Sequence, residues 1–118
     1  MTSYERGDVV LIPFPFTDLS TFKQRPAIII SSNQFNSDHQ DVIAVAVTSH
    51  LPELLASSDY PLEAADLKSA GLPKASLVKL GKIVTLDQRL IRKKLGVLPA
   101  PTLAKMAAQI QQIIGGTP

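Results

Sequence analysis

Apolar residues along most of this chain recur at every second position, and they switch to helical spacing only near its end. Alternation with period two places successive apolar side chains on one face of an extended strand. The clearest case runs from Asp8 to Phe16, where Pro13 and Pro15 cannot donate to a ladder and favour a sheet edge. After a loop over residues 17–24, further strands are predicted near residues 26–32, 41–49, 75–86 and 95–98, with a bulge or bend at Gly81.

A single amphipathic helix is predicted to close the chain. Thr102 is a suitable N-cap, apolar residues follow at spacings of three and four, and Gly115-Gly116 ends the pattern. The segment 51–73 is less regular. It predicts a helical turn at 51–56, a short strand at 60–63 and a turn at Gly71 and Pro73. Another helical turn is predicted over 87–94. Many short strands before one helix predict a mainly β fold, a small bent sheet or barrel whose open side the helix covers.

Length and composition limit the class of protein. A chain of 118 residues suits one domain, 1–118, and 45% hydrophobic against 19% charged residues predicts a real core rather than disorder. The absence of cysteine excludes disulfides, iron–sulfur clusters and thiol nucleophiles. No signal-peptide pattern and no long apolar run is present, so we expect a cytoplasmic protein that does not span a membrane.

Charge is distributed unevenly, although the net charge is only +2. Residues 38–66 carry six acidic residues and no Lys or Arg, whereas residues 74–94 carry seven basic residues and one acidic residue. Such asymmetry is expected of a protein that meets a polyanion on one face, but a basic run is also an ordinary solvated surface. Composition alone leaves both interpretations open.

Several kinds of chemistry lack the residues they need. None of the glycines forms a phosphate-cradling loop pattern, and no nucleophile elbow is present. His39 and His50 lie eleven residues apart with no helical or cage-like ligand spacing, so surface histidines are the preferred interpretation. We therefore predict no metal site and no cofactor.

An arginine and several hydroxyl groups form the most suggestive combination. Arg25 precedes Pro26, which favours an extended backbone and places Arg25 at the start of the second strand. Ser31 and Thr48 lie at the ends of two predicted strands. Taken singly, these hydroxyls are ordinary strand ends that meet water, but an arginine with hydroxyl donors suits a phosphate or a phosphorane.

The order of short segments resembles the MazF/PemK family of toxin endoribonucleases. The similarity extends from about Arg6 to Ile114, and its most specific part is R-P-A before an apolar strand, followed by V-T-S. The segments that carry it are Gly7–Leu11 (GDVVL), Lys23–Ser31 (KQRPAIIIS), Val45–Ser49 (VAVTS), Gly71–Leu80 (GLPKASLVKL), Thr85–Asp87 (TLD) and Leu95–Leu98 (LGVL).

The resemblance implies a homodimer of SH3-like barrels that cleaves single-stranded RNA without a metal and is neutralised by a cognate antitoxin. In this family the 2′-hydroxyl of the RNA attacks the adjacent phosphate, which leaves a 2′,3′-cyclic phosphate and a 5′-hydroxyl. Charge stabilisation and proton transfer are sufficient for such a reaction. A growth-inhibiting toxin of a type II toxin-antitoxin system is the expected function.

The resemblance also assigns roles to residues. Arg25 would stabilise the charge that develops on the phosphorane, and Thr48 would orient the scissile phosphate. A surface salt bridge for Arg25 and a backbone contact for Thr48 are the structural alternatives. Further RNA or phosphate contacts are expected from a group of polar, basic and aromatic residues, of which the aromatic one would stack on a base: Ser31, Ser49, Lys23, Phe16, Lys79 and Lys82.

This chain departs from the family pattern at one place. Many members carry an acidic residue followed by Gln, and an Arg shortly afterwards, where this chain has Gly81, Lys82 and Val84. An acid/base group that some relatives offer is therefore missing at Gly81. The alternative predictions are a non-catalytic protein on the same barrel, either an RNA binder or a gyrase poison of the CcdB type, and an SH3-like interaction module.

Overall fold

The computed structural model describes residues 3–15 and 22–116. These residues form six strands, three α-helices and a short 3₁₀ turn at Gln88–Leu90. In chain order the elements are β1 Asp8–Pro15, β2 Phe22–Ile29, α1 Asn33–Asp38, β3 Asp41–Thr48, β4 Asp59–Pro61, α2 Ala64–Ala70, β5 Leu77–Asp87, β6 Lys93–Val97 and α3 Ala100–Ile113. The predicted mainly β fold with a C-terminal helix is confirmed.

All six strands belong to one antiparallel sheet in the order β4-β5-β3-β2-β1-β6. The centre of the sheet is β3 and β2, which pair through Ala27 opposite Ala46. Small and β-branched side chains suit this crowded centre because both faces of these strands are covered.

Each face of the sheet carries its own apolar cluster. The larger cluster includes Val45, Val78 and Leu80 and is covered by Leu103, Met106 and Ile110 of α3. These helix residues recur at spacings of three and four, so one stripe of α3 is buried against the sheet. The smaller cluster lies on the opposite face and consists of Val10, Ile12, Ala27, Ile29, Val42, Ala44, Leu86 and Ile91.

The pairing of β5 with β3 shifts register at a bulge. Val45 of β3 lies opposite Ile83, whereas the next residue, Ala46, lies opposite Lys79. Three residues of β5, Leu80 to Lys82, are therefore inserted against one step of β3. Gly81 lies in this insertion, which confirms the predicted bulge.

The start of the second strand differs from the prediction. Residues 22–24 were expected in a loop, but β2 begins at Phe22 because β1 continues the ladder, with Phe14 opposite Lys23. Arg25 is therefore extended as predicted but lies within the strand, opposite Ile12, rather than at its start. β1 is Asp8–Pro15, and Phe16 lies outside the described residues.

The short helices also differ from the prediction. α1 and α2 were not expected, and residues 51–56, expected as a helical turn, form no helix. α3 begins at Ala100 with Pro99 as its cap residue. Thr102 is not the cap: its buried hydroxyl donates to Asp66 Oδ1 of α2 over 2.9 Å, which ties the two helices together.

Candidate functional site

Arg25 and Thr48 lie at the same end of the central strand pair and on the same face. Ala27 is opposite Ala46, so a register continued by two residues places Arg25 level with Thr48. Residues two apart on a strand share a face. The register therefore places on one face, at one end of the sheet, the two residues to which the family resemblance assigns the central roles.

The hydroxyl of Thr48 is oriented by the backbone that follows it. His50 N–H donates to Thr48 Oγ1 over 3.0 Å. A hydroxyl has lone pairs and one proton, so this contact occupies a lone pair and not the proton. Thr48 thus satisfies the backbone at the strand end, the structural role considered for it, and also keeps a proton that can be donated to an oxyanion.

Lys79 extends the same face into β5. It lies opposite Ala46 on one side and Asp59 of β4 on the other. Because residues opposite one another share a face, Lys79 and Asp59 lie on the side of the sheet that carries Arg25 and Thr48. We call these four residues, Arg25, Thr48, Lys79 and Asp59, the polar strip.

Asp59 and Lys79 form an ion pair that is mostly enclosed. Lys79 Nζ lies 2.8 Å from Asp59 Oδ1, and the Asp59 side chain is only 1% exposed. The contact with Lys79 lowers the pKa of Asp59 below its usual value, and the backbone N–H of Ala56, 2.9 Å from Oδ2, lowers it further. The carboxylate is therefore held ionised despite its burial.

The other predicted contacts are spread more widely. Lys23 lies on β2 two residues before Arg25 and therefore on the face of the polar strip, with its side chain exposed. Ser49 is exposed in the bend after β3, and Lys82 is exposed in the bulge of β5. These three residues border the polar strip, and Phe16 is outside the described residues.

Ser31 lies at the far end of the sheet. It follows β2, and its Oγ accepts the N–H of Ile43 over 3.0 Å and contacts Asn36 Oδ1 as a donor. The side chain is buried, so the hydroxyl connects α1 to β3. The structure does not bring Ser31 to Arg25 and Thr48, and the prediction of an RNA contact there has no geometric support.

Asp59 is the residue that the sequence reasoning missed. The predicted strand at 60–63 stopped one residue short of it, and nothing in the local pattern couples it to Lys79, twenty positions later. The only available signal was that an acidic residue after two serines precedes a Tyr-Pro pair.

Within the described residues, no cluster of three or more His, Asp or Glu side chains is placed to hold a metal ion. In that same part of the chain, no helix has the length and hydrophobicity required to span a bilayer.

Comparison with known protein families gives one extensive match. The family model of the PemK-like, MazF-like toxins of type II toxin-antitoxin systems matches residues 5–114. This chain belongs to that toxin family. A comparison with curated proteins finds no match.

Solved structures share the fold of this PemK-like, MazF-like chain. An endoribonuclease from a mycobacterial species superimposes with a TM-score of 0.78 at 22% identity, covering 98% of this chain and 95% of the other. A chain of the MazE–MazF complex of Deinococcus radiodurans gives 0.77 at 22% identity, covering 98% and 100%. The Mycobacterium tuberculosis toxin MazF-mt6 gives 0.73 at 18% identity, covering 93% and 98%. At these identities the similarity establishes the fold.

At Gly81, where the family resemblance led us to expect an acidic residue in many members, the structure of this PemK-like, MazF-like toxin leaves room for a side chain. A Cβ built on Gly81 would meet only Ser58 Cβ, at 3.9 Å, which is an ordinary contact. Gly81 is therefore not required by packing. Within the polar strip, the carboxylate of this chain is Asp59, on a different strand.

Proposed function

We propose that this toxin is a metal-independent endoribonuclease that cleaves single-stranded RNA at selected sequences. The observation that carries the proposal is the placement of Arg25 and Thr48 on one face at one end of the β2–β3 pair. A guanidinium beside a hydroxyl donor can bind a phosphate through its charge, and the hydrogen bonds of both groups fix the orientation of the phosphate. The family match over residues 5–114 supports the same assignment.

The proposed reaction uses a nucleophile that the RNA itself supplies. The 2′-hydroxyl gives its proton to water as its oxygen forms a bond to the adjacent phosphorus, and the bond between phosphorus and the 5′-oxygen breaks. The departing 5′-oxygen takes up a proton, so the products are a 2′,3′-cyclic phosphate and a 5′-hydroxyl. Arg25 stabilises the extra negative charge of the phosphorane and assists protonation of the leaving oxygen, while Thr48 donates to the phosphate and fixes its orientation.

Partners are proposed on the same basis. Residues 74–94 contain seven basic residues, which suit an RNA backbone and also an acidic antitoxin segment that competes for it. The MazE–MazF complexes are solved examples of a chain with this fold beside a second protein. We propose that this chain acts in the cytoplasm as a homodimer of single domains, 1–118, and is neutralised by a cognate antitoxin.

The proposal is tested by incubating the purified protein with long mixed-sequence RNA in excess EDTA and mapping the ends of the fragments. We expect recurrent cuts with 2′,3′-cyclic phosphate and 5′-hydroxyl ends. Arg25→Ala should slow cleavage by about 100-fold or more, as expected when a transition-state donor is removed. Thr48→Ala should slow it by at least about 10-fold, because the remaining donors hold the phosphate less well.

Arg6→Ala is the matched control for charge. Arg6 is exposed, and the neighbouring Gly7 N–H bonds to Ile29 O, at the end of the sheet away from Arg25. This variant should cleave like the wild type. Intact RNA with a folded, antitoxin-free wild type would refute cleavage, and RNA retention without cutting would support the non-catalytic binder instead.

A further inference from the structure

The structure buries one carboxylate completely on the face of the polar strip, and it does so in the outermost strand. The Asp59 side chain is 1% exposed; Oδ2 accepts the Ala56 N–H over 2.9 Å, whereas Oδ1 accepts no hydrogen bond from the described residues and is compensated by the charge of Lys79 Nζ at 2.8 Å. A buried charge is costly unless a partner compensates for it, and replacing such a pair by apolar residues is often neutral or stabilising. Stability alone is thus a weak reason for this ion pair.

Lys79 is the member of the pair that reaches solvent. Its side chain is 31% exposed, so the ammonium is anchored on one side and accessible on the other. It lies opposite Ala46, two residues before Thr48 on β3. At about 3.3 Å per residue, the backbone of Lys79 is about 7 Å along the sheet from the level of Thr48.

The position of Asp59 is itself held by neighbours outside the strand. Asp59 N–H donates to Ala56 O over 3.0 Å, which closes a turn around the carboxylate. The side chain of Gln109 on α3 donates to Ser57 O over 2.6 Å and to Asp59 O over 3.3 Å. Asp59 is therefore a fixed anchor, whereas a lysine on its own is a flexible point charge.

We propose that Asp59 is a positioning residue that holds Lys79 Nζ beside the Arg25–Thr48 end of the sheet, where the ammonium binds the phosphate next to the scissile one. This inference rests on the proposed endoribonuclease function. An ammonium has three donors, so Lys79 can bind Asp59 and a phosphate oxygen at once. Because the lysine is already fixed before RNA binds, binding costs less side-chain conformational entropy.

Electrostatics alone predicts the opposite effect of removing Asp59. Asp59→Asn raises the net charge of a polyanion-binding face by one and should strengthen RNA binding if only the overall field matters. If Asp59 acts through Lys79, the same substitution weakens binding, because the lysine is released from its position. The sign of the change separates the two accounts.

The experiment measures cleavage of a fluorogenic single-stranded oligonucleotide by Asp59→Asn, Lys79→Gln and the double variant over a range of salt concentrations. Both single variants should raise KM by about 10-fold with kcat within about twofold, as expected when a charged ground-state contact is lost. The salt slope of binding should become shallower by about 0.7, which corresponds to one phosphate contact on a single strand. The double variant should be no worse than Lys79→Gln alone, because Asp59 acts only through the lysine.

Asp38→Asn is the matched control, because Asp38 is an exposed carboxylate at the end of α1 and the substitution makes the same change in charge. It should leave KM and the salt slope unchanged. Loss of folded protein alone would lower the active fraction without changing the salt slope. A measurement on the wild type keeps the inference testable if Asp59→Asn does not fold: the ¹⁵N resonance of Lys79 Nζ should shift when a non-cleavable oligonucleotide with a 2′-deoxy substitution is added.

The inference is overturned if Asp59→Asn binds RNA as well as or better than the wild type with an unchanged salt slope, or if the Lys79 resonance does not respond to the oligonucleotide. In either case a wild type that still cuts RNA in EDTA would leave the proposed function standing. A folded wild type that leaves RNA intact would instead refute the proposed function, and this inference with it.

Discussion

The approach of α2 to β6 allows one prediction to be worked out from distances. Gly96 of β6 lies directly against the end of α2, and a Cβ at Gly96 would be 2.4 Å from Ser69 O, 2.5 Å from Ala70 C and 2.6 Å from Ala70 O. Ordinary contacts begin at 3.4 Å, so these distances are about 1 Å too short. All three atoms belong to the backbone, so no side-chain rotation relieves the overlap in Gly96→Ala.

The helix and the strand must separate, and this disturbs the larger apolar cluster. Ala70 is fully buried in that cluster, and a shift of α2 moves it away from its neighbours. Overpacking typically costs about 1–3 kcal/mol, and an overlap with three backbone atoms places Gly96→Ala at the upper end, about 3 kcal/mol. At about 4 °C per kcal/mol for a domain of this size, the Tm of Gly96→Ala should fall by about 12 °C.

Thermal unfolding followed by circular dichroism measures the effect, with Gly81→Ala as the control. A Cβ at Gly81 meets only Ser58 Cβ at 3.9 Å, so the Tm of this variant should stay within about 2 °C of the wild type. If the Tm of Gly96→Ala equals that of Gly81→Ala, the predicted overlap between residue 96 and the backbone of α2 is refuted.

Two further predictions concern buried carboxylates. The pKa of Asp59 lies below its usual value of 3.8, so its stabilising contribution is complete above that value and is lost as the pH falls through the folded-state pKa. Urea unfolding measures the difference in free energy of unfolding between the wild type and Asp59→Asn. This difference should be constant above about pH 5 and become smaller below about pH 4. A difference that stays unchanged down to about pH 2 would contradict the prediction. Thr102→Val removes the donor at 2.9 Å from the buried Asp66 carboxylate and should lower the free energy of unfolding by about 1–3 kcal/mol; an unchanged urea midpoint would show that the bond between α2 and α3 contributes nothing.

Most strands could be predicted because their pattern is local. The alternation in β1 and β3 reflects the face on which each side chain lies, and the apolar clusters confirm it. The start of β2 could not be predicted, since Lys23 and Gln24 are extended only because β1 continues opposite them. A strand boundary of this kind depends on the partner strand, so no local sequence pattern indicates it.

The short helices depend on contacts that are distant in sequence or unusual in type. α1 has only six residues, one of which, Asn36, is buried and bonded to Ser31. The hydroxyl of Thr102 was predicted to cap α3 but donates to Asp66, thirty-six positions earlier. A hydroxyl that could cap a helix instead donates to a tertiary partner when that partner is a buried carboxylate, because a hydrogen bond to a charged group is stronger.

The candidate site could be predicted in part. Arg25 and Thr48 were identified from the neighbouring proline and from strand ends, together with the family resemblance, and their common face follows from the β2–β3 register. Asp59 could not be coupled to Lys79, because their contact requires β4 to pair with β5 in one particular register. Their roles in RNA cleavage stay predictions until the variants are measured.

The two outer strands of the sheet limit how other chains can attach. β4 has only three residues and ends at Pro61, which has no backbone N–H, and β6 presents the exposed cationic residues Lys93 and Lys94. Short, charged or proline-containing edges discourage a foreign strand from extending the sheet. This protein should therefore resist edge-to-edge aggregation when it accumulates, and neither edge favours a protein partner that binds by adding a strand.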